Sequence, residues 1–368
     1  MVQRHIIFLV HDIHFGGGGE RVVTNMANYF SAKFSYSIEI ISIGKPNRHP
    51  IFPVDEKVKI KYLNVDQDIS NPVSNIISKF NALKRLRVYL KNNQEKSIIL
   101  GIGTYPNVLL SLIGKTHLVK IGCEHNSFNS VNILWVFLRK IFYKQLDATI
   151  SLTEKDFKNL KKISKKCFVI PNARTFLPVL NIPDRNYKQL LAIGRLSYQK
   201  GYDYLLDLFQ QLSKDLPDWN LRIIGDGPLK NWLISEIAKR NLQNRISLVP
   251  SSKNIADEYL NSSIYLMTSR YEGLPMVLLE AQAFGLSIIS FDCDTGPGDI
   301  VIDGVNGFLV EPFDVDTMLI RTKNLIEDET LRNRFSKNAL LSSDRFSEEN
   351  IYSKWEQVFN ELDKQGDT

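Results

Sequence analysis

Short apolar runs of strand length alternate with segments of helical period along this chain, and the alternation is run through twice. Residues 5–10 begin the first pass and residues 190–193 the second. Such alternation predicts parallel strands joined by crossover helices, because parallel neighbours need a long connection and both faces of their sheet must be covered. The first pass continues with strand-like runs at 37–43, 58–63, 97–102, 118–123, 148–152 and 167–170. Between them lie a basic helix at about 76–90, a helix at 107–113 after Gly103-Thr104-Tyr105-Pro106, an apolar-basic helix at 134–143, and a lysine-rich helix at 154–163 that Thr153 caps. Pro171, Pro178 and Pro183 punctuate an aperiodic stretch. A chain of 368 residues exceeds one ordinary core. The expected division is a first domain at 1–172, a linker at 173–187, a second domain at 188–345, and a long helix at 346–368 that crosses back to the first domain with Tyr352, Trp355, Val358 and Phe359 on its apolar face.

Chemistry concentrates in the second pass, at Ser269 to Ser290. Tyr271-Glu272-Gly273-Leu274-Pro275 reads as a loop entering a helix, since proline is tolerated in a first helical turn. The helix runs over 276–284, stops at Gly285, and a strand follows at 286–291. Glu272 and Glu280 are eight positions apart, a little over two turns. Free N–H groups at Gly273 and Leu274 would receive an anion such as a diphosphate, and the carboxylates would accept from hydroxyls on either side. A sugar nucleotide has that layout. The plainer alternative is that Glu272 only caps the helix and Glu280 faces water, although Glu280 lies among Leu278, Leu279, Ala281 and Ala283. Upstream, Arg195 and Lys200 flank a strand-to-helix loop where a guanidinium fork and a point charge can grip a diphosphate. Gly225 and Gly227 allow close backbone approach to the same phosphates.

The first pass offers a glycine loop at Gly16, Gly17, Gly18 and Gly19. A dinucleotide fingerprint fails there on spacing, since its third glycine would fall on Arg21 or Val22. His125 follows an apolar strand, the end of a parallel sheet at which ligands bind; a structural hydrogen-bonding role is the alternative.

The pair Glu272-x7-Glu280 with the intervening GLPMVLLEAQAFG resembles the signature of the retaining, GT-B-fold glycosyltransferases of family 4, most strongly over residues 190–309. The resemblance implies an α/β protein with two doubly wound Rossmann-like domains facing across a cleft, acceptor on the N-terminal one and donor on the C-terminal one. It implies transfer of a hexose or N-acetylhexosamine from a nucleoside-diphosphate sugar, UDP first among nucleotides, to a glycan hydroxyl with retained anomeric configuration. His125, Glu272, Arg195 and Lys200 become the catalytic set. Donor binding falls to Gly16, Gly17 and Gly18, to Gly225, Gly227 and Val249, and to Glu272, Gly273, Leu274, Pro275 and Glu280, with Ser251 and Ser252 beside the nucleobase. Where the family carries a glutamate, this chain has Asp299. No cofactor beyond the sugar-nucleotide co-substrate is implied and no metal: Arg195, Lys200 and helix ends would stabilise the leaving diphosphate, whose oxygen takes the acceptor proton.

Hydrophobic content of 43% and charged content of 23% are those of a globular protein. No run has the length of a membrane span, and the start is too quickly polar for a signal peptide, so a cytoplasmic protein is expected. Cys123, Cys167 and Cys293 form neither a disulfide framework nor a zinc motif. Residues 1–180 carry 26 Lys plus Arg against 12 Asp plus Glu, a net of +14, whereas the remainder carries 20 against 28, a net of −8. The cations cluster at Lys79, Lys84, Arg85, Arg87, Lys91 and Lys96, and at Lys155, Lys158, Lys161, Lys162, Lys165 and Lys166. A peripheral place on the anionic inner face of the plasma membrane is the expectation, with a lipid-linked glycan acceptor in bacterial surface polysaccharide synthesis and no nucleic acid as partner. Two other readings remain: a sugar-nucleotide epimerase on the same fold, and a non-catalytic protein that binds membrane or nucleic acid.

Overall fold

The structure is a computed structural model that describes residues 4–34, 36–46, 49–66, 72–92, 97–114, 116–180, 187–250 and 254–363. Lys96, Pro183, Ser251 and Ser252 lie outside the described residues. The chain divides into two units, Met1–Ala173 with Ile351–Thr368, and Arg174–Asn350.

In the first unit the elements run β1 His5–Val10, α1 Gly18–Lys33, β2 Ser37–Ser42, β3 Lys59–Tyr62, α2 Pro72–Asn92, β4 Ser97–Ile102, α3 Thr104–Ser111, β5 Val119–Cys123, α4 Ile133–Phe142, β6 Ala148–Ser151, α5 Glu154–Leu160 and β7 Cys167–Val169. The strands form one parallel sheet in the order β3-β2-β1-β4-β5-β6-β7, with Ile6 opposite Ile38 and Ile98. β1 shows why its sequence is continuously apolar. Ile6, Phe8 and Val10 enter one core with Met26 and Phe30 of α1, while Ile7 and Leu9 enter another with Leu86 of α2 and Leu109 of α3.

The second unit runs β8 Gln189–Ile193, α6 Tyr202–Asp215, β9 Asn220–Ile224, α7 Lys230–Lys239, β10 Ile246–Val249, α8 Ile255–Leu260, β11 Ile264–Met267, α9 Met276–Ala283, β12 Ser287–Phe291, α10 Pro297–Ile300, β13 Gly307–Val310, α11 Val315–Glu327 and α12 Glu329–Ser343. Its parallel sheet has the order β10-β9-β8-β11-β12-β13. The last helix, α13 Glu348–Asp363, places Ile351, Tyr352, Trp355, Val358, Phe359 and Leu362 in the first unit's core beside Phe8 and Phe30. Arg4 fixes its end, donating to Asp363 at 2.7 Å and to Asn360 at 2.8 Å.

Several boundaries differ from the sequence reading. α3 begins at Thr104, not 107, because Pro106 falls in its first turn, where a missing N–H breaks no helical bond. α5 ends at Leu160, and tight turns then bury Ile163 beside it. Residues 264–267 and 307–310 are strands that the sequence reading leaves unassigned. Residues 174–180 belong to the second unit instead of a free-standing linker: Arg174 N–H donates to Phe346 O at 2.7 Å, and Val179 N–H to Ala283 O at 3.0 Å.

Phe359 is fully buried, so Phe359→Ala should destabilise the first unit by about 3–5 kcal/mol. Hydrogen exchange checks it: protection should fall in β1 and α1 and persist in β8 and β11. Unchanged protection in β1 would detach α13 from that core.

Candidate active site

Both sheets reverse their strand order beside their first strand, and at that point adjacent crossovers leave the strand ends open for a ligand. In the second unit the reversal lies between β8 and β11. The loop after β8 carries Arg195 and Lys200, and the loop after β11 carries Glu272. Lys200 Nζ stands 2.6 Å from Glu272 Oε1, both side chains largely shielded from water. Gln199 donates to Tyr271 O at 2.9 Å, Arg270 N–H donates back to Gln199 O at 2.7 Å, and Thr295 Oγ1 donates to Glu272 O at 2.6 Å. The Arg270 guanidinium lies 3.9 Å over the Tyr198 ring and pairs with Asp203. Glu272 is thus held by backbone and side-chain contacts at once. Arg195 is exposed and has no ion-pair partner among the described residues.

Gly225 and Gly227 sit against this loop. A Cβ at Gly225 would collide with Gly194 O and one at Gly227 with Leu196 O, so the β8 and β9 loops meet backbone to backbone. Val249 ends β10. α9 starts at Met276 with Pro275 as its N-cap in extended backbone. The unpaired N–H groups of its first turn therefore begin at Met276 and Val277, and Gly273 and Leu274 lie in the approach to it. Glu280 is buried, not solvent-facing: Thr175 donates to its Oε1 at 2.8 Å and Tyr259 to its Oε2 at 2.7 Å. Asp299 Oδ2 accepts from Gly296 N–H at 3.3 Å.

In the first unit, Gly16, Gly17 and Gly18 are exposed at the start of α1, with Gly17 its N-cap. His125 follows β5 and is half-buried beside a cavity of about 20 Å³ lined by Met26, Ile102, Leu152 and Trp355. Burial strips water from the imidazolium and lowers the His125 pKa to about 4. The preceding residue anchors this loop. Glu124 is buried and paired with the fully buried Arg139 of α4 at 2.5 Å. It also accepts from Thr104 at 3.0 Å, Asn107 at 3.0 Å and Tyr143. The sequence reading passes over Gln199, Arg270, Thr295 and this ion pair. Only the last leaves a trace in sequence, the adjacent Arg139 and Lys140 inside the otherwise apolar ILWVFLRKIF. Among the described residues no group of three or more His, Cys, Asp and Glu could hold a metal ion.

Comparison with known proteins decides the family. Residues 175–341 match the family model for glycosyl transferases group 1. Over 96% of this chain and 99% of the relative, it is 32% identical to the amylovoran biosynthesis glycosyltransferase AmsD of Erwinia amylovora. The chain belongs to the group 1 glycosyltransferases. A second relative of the enzyme is the N-acetylgalactosamine-N,N'-diacetylbacillosaminyl-diphospho-undecaprenol 4-alpha-N-acetylgalactosaminyltransferase of Campylobacter jejuni, 25% identical over 91% of this chain and 94% of the relative. The fold is that of GT-B glycosyltransferases. A TarM mutant from S. aureus, crystallised with fondaparinux, alpha-GlcNAc-glycerol and UDP, superposes with a TM-score of 0.82 over 97% of this chain and 100% of its own, at 15% identity.

The lowered His125 pKa has a sign that can be tested. A ring buried neutral adds its full stability above the ordinary imidazole value of about 6.5, and loses it as pH falls through that value towards about 4. His125→Gln should reduce the loss of stability between neutral and mildly acid pH by about 1–3 kcal/mol. Melting temperatures across pH measure it, and an unaltered pH profile would mean the ring is solvated in the folded state.

Proposed function

We propose that this glycosyltransferase moves a hexose or N-acetylhexosamine from a UDP-sugar to a hydroxyl of a lipid-linked glycan during synthesis of a bacterial surface polysaccharide. Retention of anomeric configuration and independence of metal are part of the proposal. The observation that carries it is the Lys200–Glu272 pair at the strand-order reversal of the second unit, beside the exposed Arg195. A diphosphate entering there competes with Glu272 for the Lys200 ammonium. The released carboxylate is then free to accept from a sugar hydroxyl, and Arg195 closes on the phosphate oxygens as a fork. Fixed cations beside the leaving diphosphate stabilise charge that develops as the glycosidic bond breaks. The tight backbone contacts of Gly225 and Gly227 keep side chains out of the phosphate path.

Glu280, already oriented by Thr175 and Tyr259, is assigned to the ribose hydroxyls. His125, uncharged at neutral pH, is assigned a hydrogen bond to a sugar hydroxyl. The acceptor proton passes to the leaving phosphate oxygen on the same face as attack, so no separate base is needed. UDP is supported by its presence with TarM, the lipid-diphosphate acceptor by the Campylobacter relative, and polysaccharide synthesis by AmsD. The first unit, net positive, is assigned the acceptor and a peripheral place on an anionic membrane. No described helix is long and apolar enough to cross one.

Arg195→Ala is the cleanest test, since an exposed side chain with no ion-pair partner among the described residues contributes little to folding. It and Lys200→Ala should each lower kcat/KM by about 2–4 kcal/mol of transition-state stabilisation. Activity should survive EDTA. Near-normal turnover in both variants would remove the diphosphate grip, and manganese rescue after chelation would place an ion at the leaving group.

A further inference from the structure

Helices α2 and α4 of the first unit cover the same face of its sheet. Ala82, Leu86 and Leu90 of α2 share a core cluster against which Trp135, Leu138 and Phe142 of α4 pack, and the Lys79 ammonium lies 5.4 Å over the Trp135 ring. The outer faces of both helices are apolar where water is expected. On α4, Ile133, Phe137 and Ile141 follow i, i+4 spacing with Leu134 beside them, and Ile133 is 87% exposed. On α2, Ile76, Ile77, Phe80 and Val88 are exposed, Phe80 at 71%. Large apolar side chains on a water-facing surface are normally scattered singly.

Cations are interleaved with them: Lys84, Arg85, Arg87 and Lys91 on α2, Lys140 on α4 and Lys144 just past it. Neither helix contains Asp or Glu. Arg85 donates to the carbonyls of Leu63 and Asn64 and Arg87 to that of Leu112, contacts that orient the guanidinium without cancelling its charge. The other lysine cluster is less available: Lys166 pairs with Glu361 at 2.7 Å and Lys165 lies 4.0 Å from Asp147.

We propose that the joint outer face of α2 and α4 docks on an anionic lipid bilayer, with Ile133, Leu134, Phe137, Ile141 and Phe80 entering its interfacial region and the surrounding Lys and Arg at headgroup level. This deepens the proposed function, whose acceptor is lipid-linked. A basic amphipathic helix lying in the interface gains from apolar burial and from each phosphate it meets, and long cationic side chains reach headgroups while their stems lie along the apolar patch. A second copy of the chain fits poorly, because a two-fold contact would set these cations against their own images with no carboxylate in either helix. A nucleic acid would meet aliphatic side chains where it needs donors.

The test is co-sedimentation of the full chain with vesicles of phosphatidylcholine alone or mixed with phosphatidylglycerol. The wild type should bind the mixed vesicles only. Lys84→Glu with Lys140→Glu should weaken binding by about 25-fold or more, at about fivefold per cation. Ile133→Ser with Phe137→Ser should weaken it by about tenfold or more and abolish the binding that persists in high salt. All four positions are exposed, so melting temperature should not move. Absence of binding to mixed vesicles, indifference to the apolar pair, or a dimer dissolved by those same substitutions would overturn the docking face. Transfer from a UDP-sugar to a short soluble acceptor reads the enzymatic assignment separately. Activity there without vesicle binding overturns only the membrane face, and vesicle binding without transfer to any acceptor overturns only the assigned reaction.

Discussion

A parallel sheet that grows first to one side of its opening strand and then to the other constrains everything else in this chain. β1 and β8 are the opening strands, and each has its unit's second strand on one flank and fourth on the other. Crossovers of one hand then leave by opposite faces, and the strand ends between them stay uncovered. In the first unit that place receives the glycine loop after β1 and Gly103 after β4. In the second it receives Lys200 after β8 and Glu272 after β11. The sheet interior has no freedom to host such groups, because both faces of β1 and β8 are buried.

That constraint also explains what could be read from the sequence. Central strands buried on both faces are written as continuous apolar runs, which is why 5–10 and 190–193 are legible. β11 is not: IYLM is four residues between Ser262-Ser263 and Thr268-Ser269, with no glycine or proline to bound it. Yet it carries the loop that delivers Glu272. The spacing of Glu272 and Glu280 is visible in one dimension, whereas their partners are not. Lys200 and Gln199 are more than 70 residues from Glu272, and Thr175 is 105 from Glu280. Sequence reading also placed Glu280 correctly among apolar neighbours without supplying the tyrosine and threonine hydroxyls that make its burial tolerable.

The N-terminus of α9 shows a finer limit. Proline in the sequence marks a helix start but not the residue at which it occurs, since it suits both the first turn and the extended backbone before it. Here Pro275 is extended, and the unpaired N–H groups of the first turn move on to Met276 and Val277.

The buried Glu124–Arg139 pair links two features of the first unit. Taking two charges out of water is costly, and a buried pair is often no more stabilising than apolar residues of the same volume. What it supplies here is geometry. Arg139 sits on the inner side of α4 and donates to Phe128 O at 3.0 Å, Thr104 Oγ1 at 2.6 Å and Glu124 Oε2 at 2.5 Å. Three acceptors from different segments would be lost together if α4 left its seat, and Arg139 would carry an uncompensated charge with it. α4 is therefore anchored to its domain on the side opposite its apolar outer face. The same pin holds Glu124 next to His125, so a surface docked through α4 has a fixed orientation relative to the strand end where His125 stands.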